Sequence, residues 1–168
     1  MAEKKTTAAA GSDAAQKSSN TYVLTNILPA EYRTPTLVGP GPEPGDDEAD
    51  VEAAYTALCS VIITLILLSD GALSEGKLDR FLRRMNADRV TPVDATDKVL
   101  ARMAREGYIV KVKETQGGDE LVDYMVGPRG KVEVGKEGAA NLVRAVHGGS
   151  SDDLEQRLKR SLGLGDGD

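Results

Sequence analysis

Five basic side chains define the chemistry within reach of this chain. Lys98, Arg102 and Arg105 stand at i, i+4 and i+7, which on a helix makes one cationic stripe. Lys111 and Lys113 follow at alternate positions of an extended stretch and share one face of a strand. Cations fixed in that pattern neutralise phosphates, a task that needs no covalent step. None of the five has the type and position that argue for base reading, and no aromatic residues interleave with them for stacking on single strands. The competing reading is an ordinary solvated face. If all five neutralise phosphates, log affinity falls with log salt at a slope of about −4 to −5.

Covalent chemistry has little to work with. His147 is the one histidine and Cys59 the one cysteine, so no metal site of usual spacing can be built. There is no nucleophile elbow, phosphate loop or Cys–His pair. Asp46 and Asp47 are adjacent, but they sit in a Gly/Pro-rich stretch without the fixed geometry that acid–base work requires. The expectation is a binding protein with no catalytic residues, no metal and no cofactor.

The elements that must position the cations come from periodicity. Residues 53–68 are apolar almost all round and fall short of the roughly 20 residues of a membrane span, so they predict a buried central helix and no membrane partner. Two layers should cover such a helix. A second helix over 74–85, capped by Ser74, turns Leu78, Phe81, Leu82 and Met85 inward. A third over 95–106, capped by Asp94, buries Val99, Leu100 and Met103 and stops at Gly107.

A β-hairpin follows, turning at Gly117-Gly118. A two-residue loop sets Lys113 beside Val122. A three-residue loop including Asp119 pairs Lys113 with Asp123, Val112 with Tyr124 and Val110 with Val126. Charge then meets charge and apolar meets apolar, which favours the second register. Val110, Val112, Tyr124 and Val126 are then buried, while Lys111, Lys113 and Asp123 face outward. A last helix covers about 136–147. The predicted class is α+β, a winged helix of three helices, a hairpin wing and a C-terminal helix.

The 168 residues carry a net charge of −6, yet residues 50–148 hold 15 acidic residues against 14 Lys and Arg. The folded part is therefore near neutral and can bind nucleic acid if its charges segregate by face. The expected organisation is a disordered tail at 1–20, a strand segment within 21–32 ended by Pro29, and a Pro/Gly/acidic linker at 33–50. The winged-helix domain occupies 51–148, and an acidic tail with a short amphipathic helix occupies 149–168. Leu154, Leu158 and Leu162 mark that helix.

The run G-Y-I-V-K-V-K-E-T-Q-G-G-D-E-L-V-D-Y-M-V-G-P-R-G-K-V-E-V-G resembles the signature of the MAGE homology domain family. Y-V-L-T-N-I-L-P-A-E-Y-R and L-D-R-F-L-R-R-M-N resemble its fungal branch, the MAGE-like subunit of the SMC 5/6 genome-maintenance complex. The resemblance implies two tandem winged helices, of which this chain holds the second and, at 21–32, a remnant strand of the first. The first domain would then supply one of the two layers over residues 53–68, and this chain alone is expected to leave a sizeable apolar patch there. It implies a non-enzymatic nuclear, chromosome-associated subunit serving DNA repair. Its partners are then the kleisin and RING-type ubiquitin-ligase subunits of that complex and double-stranded DNA. The ligase contact in the family lies largely on the first domain. A free winged-helix transcription regulator is the alternative.

Overall fold

The computed structural model describes residues 27, 29–32, 47–116 and 119–164. The tail at 1–20, nearly all of the 21–28 strand segment, linker residues 33–46 and the Gly117-Gly118 loop lie outside the described residues. A 3-10 turn over Ala30–Tyr32 precedes the main body.

Helix α1 spans Asp47–Leu67 and begins earlier than expected, because the acidic residues of its first turn suit a helix N-terminus. It ends at a tight turn in which Asp70 and Gly71 both adopt positive φ, 60° and 83°. Strand β1 (Ala72–Ser74) was not anticipated, since three residues carry no readable alternation. Helix α2 (Glu75–Arg84) has Ser74 at its N-cap, but the serine side chain makes no capping bond there. Helix α3 (Thr96–Arg105) is capped from Ala95 rather than Asp94, whose carboxylate instead accepts from the Ala95 amide at 2.6 Å. Strands β2 (Ile109–Gln116) and β3 (Asp119–Val126) complete an antiparallel sheet of order β1-β3-β2. Helix, strand, helix, helix, two strands is the winged-helix order, in an α+β fold. Helices α4 (Pro128–Glu133), α5 (Gly135–His147) and α6 (Asp152–Leu162) follow.

The core gathers on one side of α1, where Tyr55, Cys59, Ile62, Ile63 and Ile66 meet Leu73, Leu78, Val99, Met103 and Ile109. Although α1 is long and apolar enough to cross a membrane, Ile62, Ile63 and Ile66 are fully buried against this sheet and helix pair. The chain's own C-terminal helices cover the end of the expected bare face, while Val51, Ala53 and Ala57 nearer the start of α1 are exposed. Ala139 and Ala140 of α5 and Leu154, Leu158 and Leu162 of α6 form a second apolar cluster packed with Leu67 and Leu68.

The hairpin adopts the register that the charge argument rejected. Lys113 faces Val122, Val112 faces Asp123, Lys111 faces Tyr124 and Ile109 faces Val126. A one-residue slip exchanges the faces of a strand. Ile109 is therefore buried and Val110 is 43% exposed, while Lys111 and Lys113 share the face of Tyr124 and Val126 instead of pointing away from it. The register is set at the hairpin base. There the Gly127 amide donates to the Tyr108 carbonyl at 2.8 Å and the Arg129 amide to the Gly107 carbonyl at 3.0 Å. Gly107, at φ 81°, stops α3 and delivers Tyr108 and Ile109 to that clasp. A single pair of surface charges near the tip is worth at most about 1 kcal/mol and cannot override it.

The clasp also explains the G-P-R-G run. A Cβ on Gly127 would collide with the Gly107 carbonyl, and one on Gly130 would lie 2.5 Å from the Tyr108 carbonyl oxygen and 3.1 Å from Ile63 Cδ1. Gly130→Ala should therefore cost roughly 1–3 kcal/mol by overpacking, since the nearest obstacle is backbone. Thermal unfolding of the variant is the check; an unchanged Tm would mean the clasp gives way freely.

Helix α6 is held by an ion pair as well as by its leucines. Arg144 Nε and Nη2 donate to Glu155 Oε1 and Oε2, each at 2.7 Å, and the Ser150 hydroxyl donates to Oε1 at 2.6 Å. The Arg144 and Ser150 bonds lower the Glu155 carboxyl from 4.5 to about 2. A depressed carboxylate adds stability that is complete above its unfolded pKa and is lost as pH falls through its folded pKa. Glu155→Gln should therefore melt below the wild type at neutral pH. The gap should narrow below about 4.5 and close near 2. Melting curves across that range test this, and a gap independent of pH would contradict it.

Candidate nucleic-acid and partner interface

The predicted cations sit in unequal surroundings. Lys98, whose side chain is 68% exposed, reaches back along α3 to Asp94 at 3.3 Å. Arg105 is exposed and forms no ion pair among the described residues. Arg102 is committed to the fold. Its guanidinium lies 3.6 Å from the centre of the Tyr55 ring, and it donates to Glu106 at 2.8 Å and to Glu52 of α1 at 3.1 Å. On the wing, Lys111 pairs with Glu75 of α2 at 3.0 Å and lies over the Tyr124 ring at 5.4 Å. Lys113 pairs with Glu120 on the neighbouring strand, with 60% of its side chain exposed. The five do not converge as free charges. Arg102 is turned to the N-terminal half of α1, whereas Lys111 is turned to α2.

Arg102 belongs to a polar cluster that joins α1, α3 and α4. The Tyr55 hydroxyl donates to Glu106 at 2.8 Å, and the Tyr108 hydroxyl donates to Glu133 at 2.8 Å. The two rings meet edge to face at 6.3 Å, and Arg129 stacks on Tyr108 at 4.3 Å. Burial, then the bond to Glu133, pushes the Tyr108 hydroxyl up to about 12. Burial also pushes on the Glu106 carboxyl, but the bonds from Arg102 and Tyr55 outweigh it and hold the group below the usual carboxylate range. Arg129 thus caps an aromatic pair.

A second surface was missed. Between α2 and α3, closed by Tyr124 and Lys111, lies a groove of about 390 Å3. Leu78, Leu82, Leu100, Ala101 and Ala104 line its apolar part, and Glu75, Asp79, Asp88 and Asp97 stand around it. The sequence signal is Glu75 and Asp79 at i, i+4 among the basic residues of α2, which puts both acids on one face of that helix. Among the described residues no group of three or more His, Cys, Asp or Glu is arranged to hold a metal ion. Cys59 is buried, and burial raises its thiol to about 11, far from a reactive thiolate.

The fold is a winged helix with a basic helix, a wing and a grooved flank. The sequence profile of the MAGE homology domain matches residues 1–137, and the chain belongs to that family. A comparison with curated proteins finds no match. Among solved structures, the fold superimposes on a chain of an "Nse1-Nse3-Nse4 complex" with a TM-score of 0.58 and 17% sequence identity. The match covers 74% of this chain and 59% of that one, so the chain spans less than two thirds of that relative's length.

The split between committed and free cations can be tested on stability. Arg102→Gln should lower the Tm, because it removes the ring contact and leaves Glu106 without its strongest partner. Arg105→Gln should leave the Tm within error, as exposed unpaired charges add little. Equal melting of both variants would contradict the assignment.

Proposed function

We propose that this chain is a non-enzymatic scaffold subunit of the SMC 5/6 chromosome-maintenance and DNA-repair complex. In that role it bridges kleisin and RING-type ubiquitin-ligase subunits and touches duplex DNA in the nucleus. The observation that carries this reading is membership of the MAGE homology domain family across residues 1–137. The likeness in fold to a chain of the Nse1-Nse3-Nse4 complex supports it. Co-expression with kleisin and RING-type subunits, followed by affinity capture, tests it. Capture of the kleisin by this chain is expected, and capture of neither partner would overturn the scaffold reading.

The proposed DNA contact uses Lys98, Arg102, Arg105, Lys111 and Lys113 unequally. Lys98, Arg105 and Lys113 are the most available, because their partners are surface acids or absent among the described residues. Arg102 and Lys111 must first leave Glu52, Glu106 and Glu75. Three neutralised phosphates give a salt slope of about −3, shallower than the value for all five. Duplex affinity measured at several salt concentrations should show that slope without sequence preference. Lys98→Gln/Arg105→Gln should flatten it, and an unchanged slope in that variant would remove α3 from the contact.

A further inference from the structure

The joint between α5 and α6 carries a hydroxyl that neither the scaffold nor the DNA contact uses. Gly148 and Gly149, at φ 85° and 137°, end α5 and turn the chain toward α6. Ser150 and Ser151 follow, and both are exposed. Ser151 accepts from the Leu154 amide at 3.3 Å and so caps α6. The Ser150 hydroxyl does something else: it donates to Glu155 Oε1 at 2.6 Å. That same oxygen accepts from Arg144 Nε at 2.7 Å, so Ser150, Glu155 and the guanidinium form one compact group. The Arg144–Glu155 pair ties α6 to α5, whereas Lys159, which also draws on Glu155, rides on α6 itself. The rest of the hold is apolar, through Leu154, Leu158 and Leu162. A helix of 11 residues is too short to persist in water without such docking.

We propose that Ser150 is a phosphorylation site whose modification unlatches α6. Acids follow it at +2, +3 and +5 (Asp152, Asp153 and Glu155), the charge pattern that an acidophilic serine kinase selects. In the transfer, Ser150 Oγ attacks the γ-phosphorus of ATP. The bond from that phosphorus to the β,γ-bridging oxygen breaks, ADP leaves, and the hydroxyl proton passes to the base of the kinase. The product no longer donates to Glu155. It sets about 1.5 to 2 negative charges beside a carboxylate that already has Asp152 and Asp153 in the same turn. The dipole at the start of α6 is already answered by those three acids, so a further anion gains little there. Arg144 is the cation beside it on α5, and its planar fork suits phosphate. The guanidinium moves to the phosphate, Glu155 is repelled, and α6 keeps only its leucines. The helix then frays from its seat and uncovers Leu67, Leu68, Ala139 and Ala140.

The full chain is incubated with an acidophilic serine/threonine kinase and Mg-ATP, then read by fragment mass spectrometry and by amide hydrogen exchange. Phosphate should appear at Ser150, and Asp153→Asn should lose most of it. In the phosphorylated chain the α6 amides should exchange about tenfold or more faster, as expected for losing one charged hydrogen-bonded pair, while those of β2 and β3 keep their rates. Ser150→Ala, which drops one bond and adds no charge, should accelerate α6 much less. Arg144→Gln should already exchange fast in α6, and phosphorylation should add little to it, because the two changes remove the same interaction. Any of these results would overturn the proposal: no label at Ser150, label confined to Ser151, or undiminished label in Asp153→Asn. An unchanged or slowed α6 in the labelled chain, or an equal acceleration by phosphate in Arg144→Gln, would do the same.

Discussion

Everything distal in this fold depends on one close approach of backbone to backbone. The chain leaving β3 crosses the chain entering β2 so tightly that Gly127 and Gly130 have no room for a Cβ. Two hydrogen bonds to the Gly107 and Tyr108 carbonyls lock the crossing. The clasp starts α4 and places Arg129 on Tyr108. It also fixes which residues of the hairpin face the core, because register set at the base propagates strictly along two strands. Cβ-free backbone is the only material that fits there, and the cost of any side chain is steric and therefore steep.

The wing's surface chemistry is a consequence. With Ile109 placed inward, Lys111 and Lys113 fall on the core side, beyond the point where the core ends, and find carboxylates on α2 and β3. Val110, Leu121 and Met125 are left on the other face, between 43% and 49% exposed. Cations that sequence spacing presents as a free stripe are thus divided. Arg102 is spent on joining α1 to α3, Lys111 on joining the wing to α2, and Lys98 and Arg105 remain toward solvent.

Much of this was legible in the sequence, and the failures share a cause. The helices containing Leu78 and Leu82, and Val99 and Met103, follow from their 3.6-residue stripes, and those side chains are buried. The Leu154, Leu158, Leu162 spacing correctly marked a helix, which docks on α5. The hairpin register was misjudged because two registers offered similar apolar pairings and the decision lay outside the strands, in glycines whose crowding only the fold reveals. The bare face expected on α1 is reduced at its C-terminal end, where Leu67 and Leu68 are covered by residues about 75 to 100 positions further along. Periodicity reports which face seeks burial; it carries no record of what provides it.

The acid groove shows why charge must be read by face. Along the sequence, α2 carries Glu75 and Asp79 against Lys77, Arg80, Arg83 and Arg84, which reads as a basic helix. Once α2 is wound and set against α3, Glu75 and Asp79 turn to the groove and meet Asp88 and Asp97 there, while Lys77, Arg80 and Arg84 are absent from its lining. A helix with more basic than acidic residues thus presents an acidic flank to its neighbour. At distances below a Debye length of about 8 Å, an approaching phosphate or ammonium group responds to that local arrangement rather than to the total for the chain. A net charge of −6 consequently does not forbid a phosphate contact at Lys98 and Arg105 of α3, because the charges of the chain are divided by face rather than averaged.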